Sequence, residues 1–512
     1  MKKKLLNCPV ADKDIKPAVC GANRISRYNC PETCLHNPWS PANYGKSLET
    51  YDRFRDKLYS RMRSEGISEP PLYSNELDLY KTVVWFRDKL YIKKDSNGLT
   101  FKQRWENNKY DGLNNDQKVL INAEAAMRPA LLEIQQIHDD HTLTAIDLLR
   151  PEEGSFLMAD YAMAATACRF TVIFSLIFNL PHYRRINTTG ADFSFIPGIA
   201  PIYAFNELIH HLGAPQEHEQ MLQWLSNHIT DIFKSIQAVA NARQAAAQNN
   251  FKASNINTIY AINCTQDEFF DIVDDRDEMI PEDLSDKTEQ EGFIENWTIL
   301  EDDFESKVQQ KIIGTLLLHQ DNYIKLNTIS QTDDNPLKSK MEKLFGNKIK
   351  FKMENKDDIS DLYSSGTVTK YNPDMVPPTL LKDISDLEIS SCRIDYSKLP
   401  PSSKPIEIQI IEQQINDFLN HKIQSLNNKT PREAAKIPEL RPQLIQLMKM
   451  HTRNWDHHNL EKGLNIDFNK TLSELGLDEI NFPPPPIRNT KANEEFHNDE
   501  YYDDDFPQPS TA

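Results

Sequence analysis

Hydrophobic positions recur at helical spacing through the first quarter of the chain. Tyr51, Phe54, Leu58 and Met62 line one face of a helix predicted over Tyr44 to Arg63, and Leu77, Tyr80, Val84 and Leu90 do the same over Asn75 to Leu90. A third helix is expected from Gln117 to Met127. The period then shortens. Leu131–Ile137 and Leu143–Leu149 read as two strands joined by the polar turn His138–His141, and Ser155–Ala159 adds a third after the turn at Glu153-Gly154. The expected product is a small, curled, barrel-like sheet. The most apolar run, Ala162 to Leu180, is broken by Arg169. Its uninterrupted part is about eleven residues where a membrane span needs about twenty, so it is expected to be a buried core segment with no membrane insertion.

Further along, Leu222, Leu225, Ile229, Ile232, Ile236 and Val239 form a stripe that predicts one long helix from Gln216 to Gln248. Acidic, weakly periodic sequence from Asp267 to Glu291 reads as a linker. Ile312–Leu318, Tyr323–Asn327, a helix from Asn335-Pro336 to Phe345-Gly346, and Lys348–Lys352 then predict strand, strand, helix, strand, with Pro336 in the first helical turn and Gly346 as the stop. Ile408, Ile411, Ile415, Leu419 and Ile423 make a last helical stripe, and Thr430-Pro431-Arg432-Glu433 is a capping box with proline at the first helical position. The run Pro483–Pro486 is expected to stay out of any packed core. The acidic Glu494–Asp505 that follows reads as disordered.

The expected fold class is therefore α+β and multidomain. Its parts are a cysteine-rich module (1–43), a mixed helical domain with the small β-meander near 130–160 (44–264), an acidic linker (265–300), the strand-strand-helix-strand unit (301–354), a polar linker (355–405), a C-terminal helical domain (406–482) and a Pro-rich acidic tail (483–512). A chain of 512 residues needs several cores, because one core stops growing at about 250 to 300 residues.

Composition changes this picture in three ways. With 58 basic against 76 acidic residues the net charge is −18, which disfavours binding of phosphate backbones by the chain as a whole. A local basic set, Arg24, Arg27, Arg53, Arg55, Arg61 and Arg63, keeps an RNA-binding alternative open, against the simpler reading of a solvated helix face. Only 15 glycines occur, so phosphate-cradling loops are unexpected, and Gly45-Lys46-Ser47 has Ser40 where a Walker loop requires its first glycine.

The third change is the cysteines. Cys8, Cys20, Cys30 and Cys34 crowd the N-terminal region while Cys168, Cys264 and Cys392 lie far apart. Cys30-Pro31-Glu32-Thr33-Cys34 is a C-x3-C turn able to turn two thiolates to one ion, and Cys8 and Cys20 would supply the other two ligands through a wider loop. The expected ion is zinc, with His36 able to replace one cysteine and Lys2 to Lys4, Arg24 and Arg27 offsetting thiolate charge. Free thiols and a disulfide staple remain as alternatives. No apolar signal segment follows Met1-Lys2-Lys3-Lys4, from which a reducing cytoplasm is expected.

Two other clusters carry metal-capable side chains. His138, Asp139, Asp140 and His141 have the composition of an ordinary hairpin loop. Glu207-Leu-Ile-His210 is half of a di-iron bundle signature whose second copy is absent, and His210 and His211 before Gly213 are expected rather at the C-terminal end of a helix. Either would serve a metal-dependent hydrolase, the enzyme alternative. No complete catalytic signature appears, and a binding or scaffold protein with a protein partner is the favoured reading. Arg441, His451, Asp456, His457 and His458 read as a solvated helical surface.

Asn428-Lys429-Thr430-Pro431-Arg432-Glu433-Ala434-Ala435 resembles a segment of the toxin-binding region of Xre-type antitoxins. It is also similar to a segment of large uncharacterised bacterial proteins that carry SEC-C-like cysteine modules. Those proteins resemble this chain in layout, through the cysteine cluster, the strand-strand-helix-strand unit and the Thr430 box. The resemblance implies zinc on Cys8, Cys20, Cys30 and Cys34 and no catalytic residue. Asn428 stands where the antitoxin segment has glycine, and the cysteine spacing departs from the SEC-C pattern.

Overall fold

In the N-terminal module, Leu6–Cys8 (β1) and Lys13–Ile15 (β2) pair antiparallel and Pro17–Asn23 (α1) follows with proline at its start. The long helix Tyr44–Ser64 (α2) buries Tyr51, Phe54, Leu58 and Met62, the face its periodicity predicts. This computed structural model describes residues 5–68, 79–193, 200–250, 253–276, 278–300, 312–330, 335, 337–359, 371–381, 415–462 and 465–488. They divide into two units, one of Met1–Gln237, Asp374–Leu380 and Leu419–Ala512, the other of Ala238–Pro373 and Leu381–Phe418. The α+β class and the multidomain organisation hold.

In the first unit Leu79–Arg87 (α3) runs into a π-helical turn at Asp88–Ile92, and Phe101–Asn107 (α4) and Asn115–Ala125 (α5) each begin with a reciprocal capping box. The expected hairpin is present as Arg128–Ile137 (β3) and Thr142–Asp147 (β4), and Ser155–Ala159 (β5) pairs with β4. After Tyr161–Thr166 (α6) two further strands, Val172–Asn179 (β6) and Arg184–Asp192 (β7), close the sheet into a barrel of order β3-β4-β5-β7-β6. β5 and β7 meet in parallel at Met158 and Arg184. The strand order, and the helix between the third and fourth strands, are those of an OB-type Greek-key barrel. Leu132, Ile134, Leu143, Ala145, Met158 and Ile177 fill its interior.

The apolar run at 162–180 is thus a capping helix and a core strand. Arg169, which interrupts it, is fully buried and meets Asp456 at 2.7 Å. No helix among the described residues is long and apolar enough to cross a membrane.

Pro201–His211 (α7), His218–Asn227 (α8) and Ile229–Asn250 (α9) follow. The single helix expected over Gln216–Gln248 is two, broken at His228, whose ring stacks on Trp224 at 4.1 Å and whose Nδ1 lies 2.9 Å from the Trp224 carbonyl. Ser226, Asn227 and His228 are all weak helix formers, and the apolar stripe resumes at Ile229.

The second unit is built on a six-stranded antiparallel sheet, β13-β8-β12-β11-β10-β9. It comprises Ser254–Ile262 (β8), Gln266–Asp274 (α10), Met279–Glu282 (β9), Asp286–Gln290 (α11), Phe293–Leu300 (β10), Ile312–His319 (β11), Tyr323–Ser330 (β12), Lys338–Phe345 (α12) and Ile349–Asp358 (β13). The predicted strand-strand-helix-strand order is therefore right and forms half of a larger sheet. Pro336 and 301–311 lie outside the described residues, and Asn335 takes the turn's role, its Oδ1 accepting the Leu337 N–H at 2.9 Å. Gly314 has to be glycine: a Cβ there would stand 2.6 Å from Leu337 Cδ1 and 2.8 Å from the Asn327 carbonyl oxygen.

The acidic linker expected at 265–300 is corrected. That stretch supplies two helices and two strands, and Phe269, Val273, Met279, Trp297 and Ile299 sit in the unit's core. Its acidic residues occupy the outer helix face, which hides an apolar face at i, i+4 spacing. The domain expected at 44–264 also ends early, since β8 belongs to this second sheet. Of the polar linker at 355–405, residues 355–358 extend β13, short 3-10 turns form at Pro373–Met375 and Pro378–Leu381, and 360–370 and 382–405 lie outside the described residues.

In the C-terminal part, 406–414 lie outside the described residues and 415–420 are helical. Thr430 caps Pro431–Ala434 (α13) with the predicted reciprocal bonds to Glu433, and Arg441–Lys462 (α14) and Asn469–Glu474 (α15) complete it. Asn427 and Asn428 both have left-handed backbone, φ 55° and 56°. Asparagine tolerates that region and glycine prefers it. Asn428→Gly should leave the melting temperature nearly unchanged, whereas Asn428→Val should cost about 1–2 kcal/mol in thermal unfolding.

The proline run was expected to stay out of any packed core, and none of Pro483–Pro486 is buried, although the segment does touch the first unit. Arg488, just beyond it, donates from Nη1 to the carbonyls of Ala164 and Ala167 at 2.8 and 2.6 Å. Pro485 and Pro486 line a small cleft with Asp456 and Asn459. Residues 489–512, including the acidic tail, lie outside the described residues.

Candidate functional site

The cysteine module is built around short polar side chains that satisfy a turn's carbonyls. Asn37 donates from Nδ2 to the carbonyls of Cys30 and Pro31 at 3.3 and 3.4 Å, and Asn43 donates to those of Cys34 and Asn37 at 3.2 and 3.0 Å. These bonds hold the C-x3-C turn. Cys8, Cys20, Cys30 and Cys34 are all buried and none is in a disulfide. The Ala11 N–H points at Cys8 Sγ at 3.4 Å, and Arg24 Nη2 lies 3.8 Å from Cys20 Sγ.

The thiols sense one another. Burial pushes the Cys30 thiol up to about 11, the fields of Cys34, Cys20 and Cys8 add to the shift, and Arg24 opposes it. Arg24 is itself buried and paired with Asp116 of α5, with its Nε left without an acceptor. A cation beside Cys20 offsets part of the charge that thiolates would bring.

Four buried sulfurs in one module match the donor set of a structural zinc site. Among the described residues, the one group whose ligand atoms already lie within 4.8 Å of one another is Asp139, Asp140 and His141. No three of the four sulfurs lie that close together. His36 is half-buried at the module's edge.

The hairpin group has other employment. Asp139 Oδ1 accepts the backbone N–H groups of His141 and Thr142 at 3.0 and 2.6 Å, which lowers the Asp139 pKa against its partial burial and is ordinary turn chemistry. His141 places Nε2 3.0 Å from the Pro41 carbonyl and Nδ1 2.5 Å from Asp140. His138 turns away to Thr144 at 2.7 Å. Glu207 accepts from the Thr379 hydroxyl at 3.0 Å, and His210 Nδ1 lies 3.1 Å from the Ala214 carbonyl at the helix end. Among the described residues, Glu207 and His210 do not join the hairpin group in a cluster able to hold an ion.

The arginines of the basic set are engaged as follows. Arg53 pairs with Glu49 and Arg61 with Glu65 along α2, Arg55 donates to the Tyr59 hydroxyl at 2.7 Å, and Arg27 lies over the Tyr28 ring. Further along, Asp456 and His451 depart from the expected solvated surface. Asp456 is buried on Arg169, and burial holds the His451 imidazole down to about 4.

Sequence reasoning missed the aromatic hub between module and barrel. Tyr44, at the first turn of α2, stacks on His141 with centroids 5.6 Å apart and meets Tyr161 and Tyr183 at 5.1 and 5.9 Å. Arg185 lies over Tyr51 at 4.7 Å and Tyr44 at 5.9 Å, its Nη1 buried without a hydrogen-bond acceptor, so ring faces take the place of one. Beside them burial raises the Glu124 carboxyl, although Tyr91 donates to it at 2.6 Å. The legible signal was the density of tyrosine in 44–59, which the helical stripe absorbed.

No protein-family model, curated protein or solved structure matches this chain.

Proposed function

We propose that the protein is a cytoplasmic interaction or scaffold protein whose N-terminal module is ordered by zinc on Cys8, Cys20, Cys30 and Cys34. The observation that carries the reading is the four buried, unlinked thiols in one small module, with the guanidinium of Arg24 3.8 Å from Cys20 Sγ. Thiols buried this densely in a 40-residue segment with little apolar core of its own are what a metal-stabilised fold needs. The left-handed backbone at Asn428 supports the resemblance to the antitoxin-like segment, since it is the conformation in which glycine is at home. A protein partner fits a surface with a net charge of −18 better than a nucleic acid does.

Elemental mass spectrometry tests this. The wild-type protein should carry about one zinc per chain, and Cys30→Ser should lose most of it. A metal-free wild type purified under reducing conditions would leave the cysteines as thiols and remove the reading.

RNA binding is the second reading, and the barrel topology favours it, because OB-type barrels often bind oligonucleotides. Topology alone assigns no function. Retention of single-stranded RNA that falls steeply between low and moderate salt would support it, and no retention at low salt would end it.

A further inference from the structure

The cysteine module and one end of the barrel are joined by a specific set of contacts. The loop between β3 and β4 gives His141, whose Nε2 lies 3.0 Å from the Pro41 carbonyl and whose ring stacks on Tyr44. The loop between β6 and β7 gives His182 and Tyr183. His182 Nε2 lies 2.8 Å from the carbonyl of Cys30, and the Tyr183 hydroxyl donates to Ser47 Oγ at 2.7 Å. Both barrel loops are therefore tied to the segment running from the C-x3-C turn into α2. One tie lands on the backbone of a candidate metal ligand.

We propose that the module is a metal-ordered latch over this end of the barrel: binding of zinc holds the two loops closed, and its loss frees them. The proposal rests on the zinc reading above. Its physical basis is that the Cys30 carbonyl has a fixed position only while the C-x3-C turn is ordered. The same carbonyl is held by Asn37 from inside the module and by His182 from the barrel. Pro41 stands between that turn and Tyr44, so disorder in the turn also loosens the seat of His141. What opens is an aromatic surface, with Tyr161, Tyr183 and His141 no longer packed on Tyr44. The barrel itself should persist, since its interior is filled by its own strands and needs nothing from the module.

Two amides report the state of the latch. The Asp160 N–H bonds to the His141 carbonyl at 2.7 Å, and the Leu180 N–H to the Tyr183 carbonyl at 2.9 Å. Each is protected only while its loop keeps its shape. Hydrogen exchange of the full-length protein, before and after zinc is withdrawn by a chelator, with zinc content measured on the same samples, decides the matter. The expected result is exchange faster by on the order of tenfold at these two amides, with strand amides of β3 and β6 unchanged. The milder double variant His182→Gln with Tyr183→Phe should show the faster Leu180 exchange while keeping its zinc, because it cuts the latch and leaves the thiols intact. If zinc leaves and both amides keep their protection, the latch is overturned and the zinc reading stands. If the purified protein holds no metal, both fall together.

Discussion

Asp456→Ala is expected to destabilise the first unit by about 3–5 kcal/mol, the largest effect of any single polar substitution in it. Arg169 and Asp456 are both fully buried, and they meet through Nε to Oδ2 at 2.8 Å and Nη2 to Oδ1 at 2.7 Å, a two-pronged contact. The Arg169 backbone N–H also donates to Asp456 at 3.1 Å, and Nη1 reaches Asn469 and the Phe482 carbonyl, each at 2.6 Å. Removing the carboxylate strands a guanidinium charge with no water to receive it. The cost comes from that stranded charge more than from the lost attraction. Replacing both partners, Arg169→Met with Asp456→Leu, should therefore be much milder than the single change. Calorimetry of the full chain checks this, with the first unit's transition moving down in the single variant. A shift worth less than about 1 kcal/mol would mean that the pair is hydrated in solution.

The second large effect belongs to Phe269→Ala, expected to cost the second unit about 3–5 kcal/mol. Phe269 has no exposed surface, stacks on Phe345 with centroids 5.0 Å apart, and meets Trp297 edge-on at 6.1 Å. Truncation removes both ring contacts and leaves a cavity between α10, α12 and β10, which the sheet cannot collapse to fill. Asp271→Ser, an exposed change on the same helix, should stay within about 0.5 kcal/mol. Equal, small effects from the two would return residues 265–300 to the status of a linker. The result is read by urea denaturation followed through tryptophan fluorescence, for which Trp297 is a local reporter.

The comparison of sequence with structure turns on a few residues. The α2 face, the capping box at Thr430 and the helix stop at Gly346 were legible because each depends on neighbours within four or five positions. The acidic stretch at 265–300 misled because its carboxylates outnumber its apolar residues. Yet Phe269 and Val273 at i, i+4 are enough to dock a two-turn helix once a sheet is there to receive them. His228 broke a helix that the stripe through Leu225 and Ile229 presented as continuous.

The candidate site divides the same way. Four clustered cysteines could be read from spacing alone, and Asn37 and Asn43, short amides close behind Cys34, were the nearest hint of how the turn is held. Nothing local pointed to His182 or Tyr183, because their partners are 152 and 136 residues away.

By itself the sequence determined the helices with a buried face, the first three barrel strands, the strand-strand-helix-strand order and the clustering of four cysteines in one short segment. All of these are set by periodicity, turn residues and side-chain chemistry. Only the tertiary structure decided that the barrel closes. β6 is buried at seven of its eight positions, so its apolar run has no period to betray a strand, and β7 is largely polar and becomes a strand by pairing with β6 and β5. The same holds for the ion pair of Arg169 with Asp456, 287 residues apart, and for the contact of module with barrel. Long-range pairing is fixed by which surfaces must leave water together, and that information is spread over the whole chain.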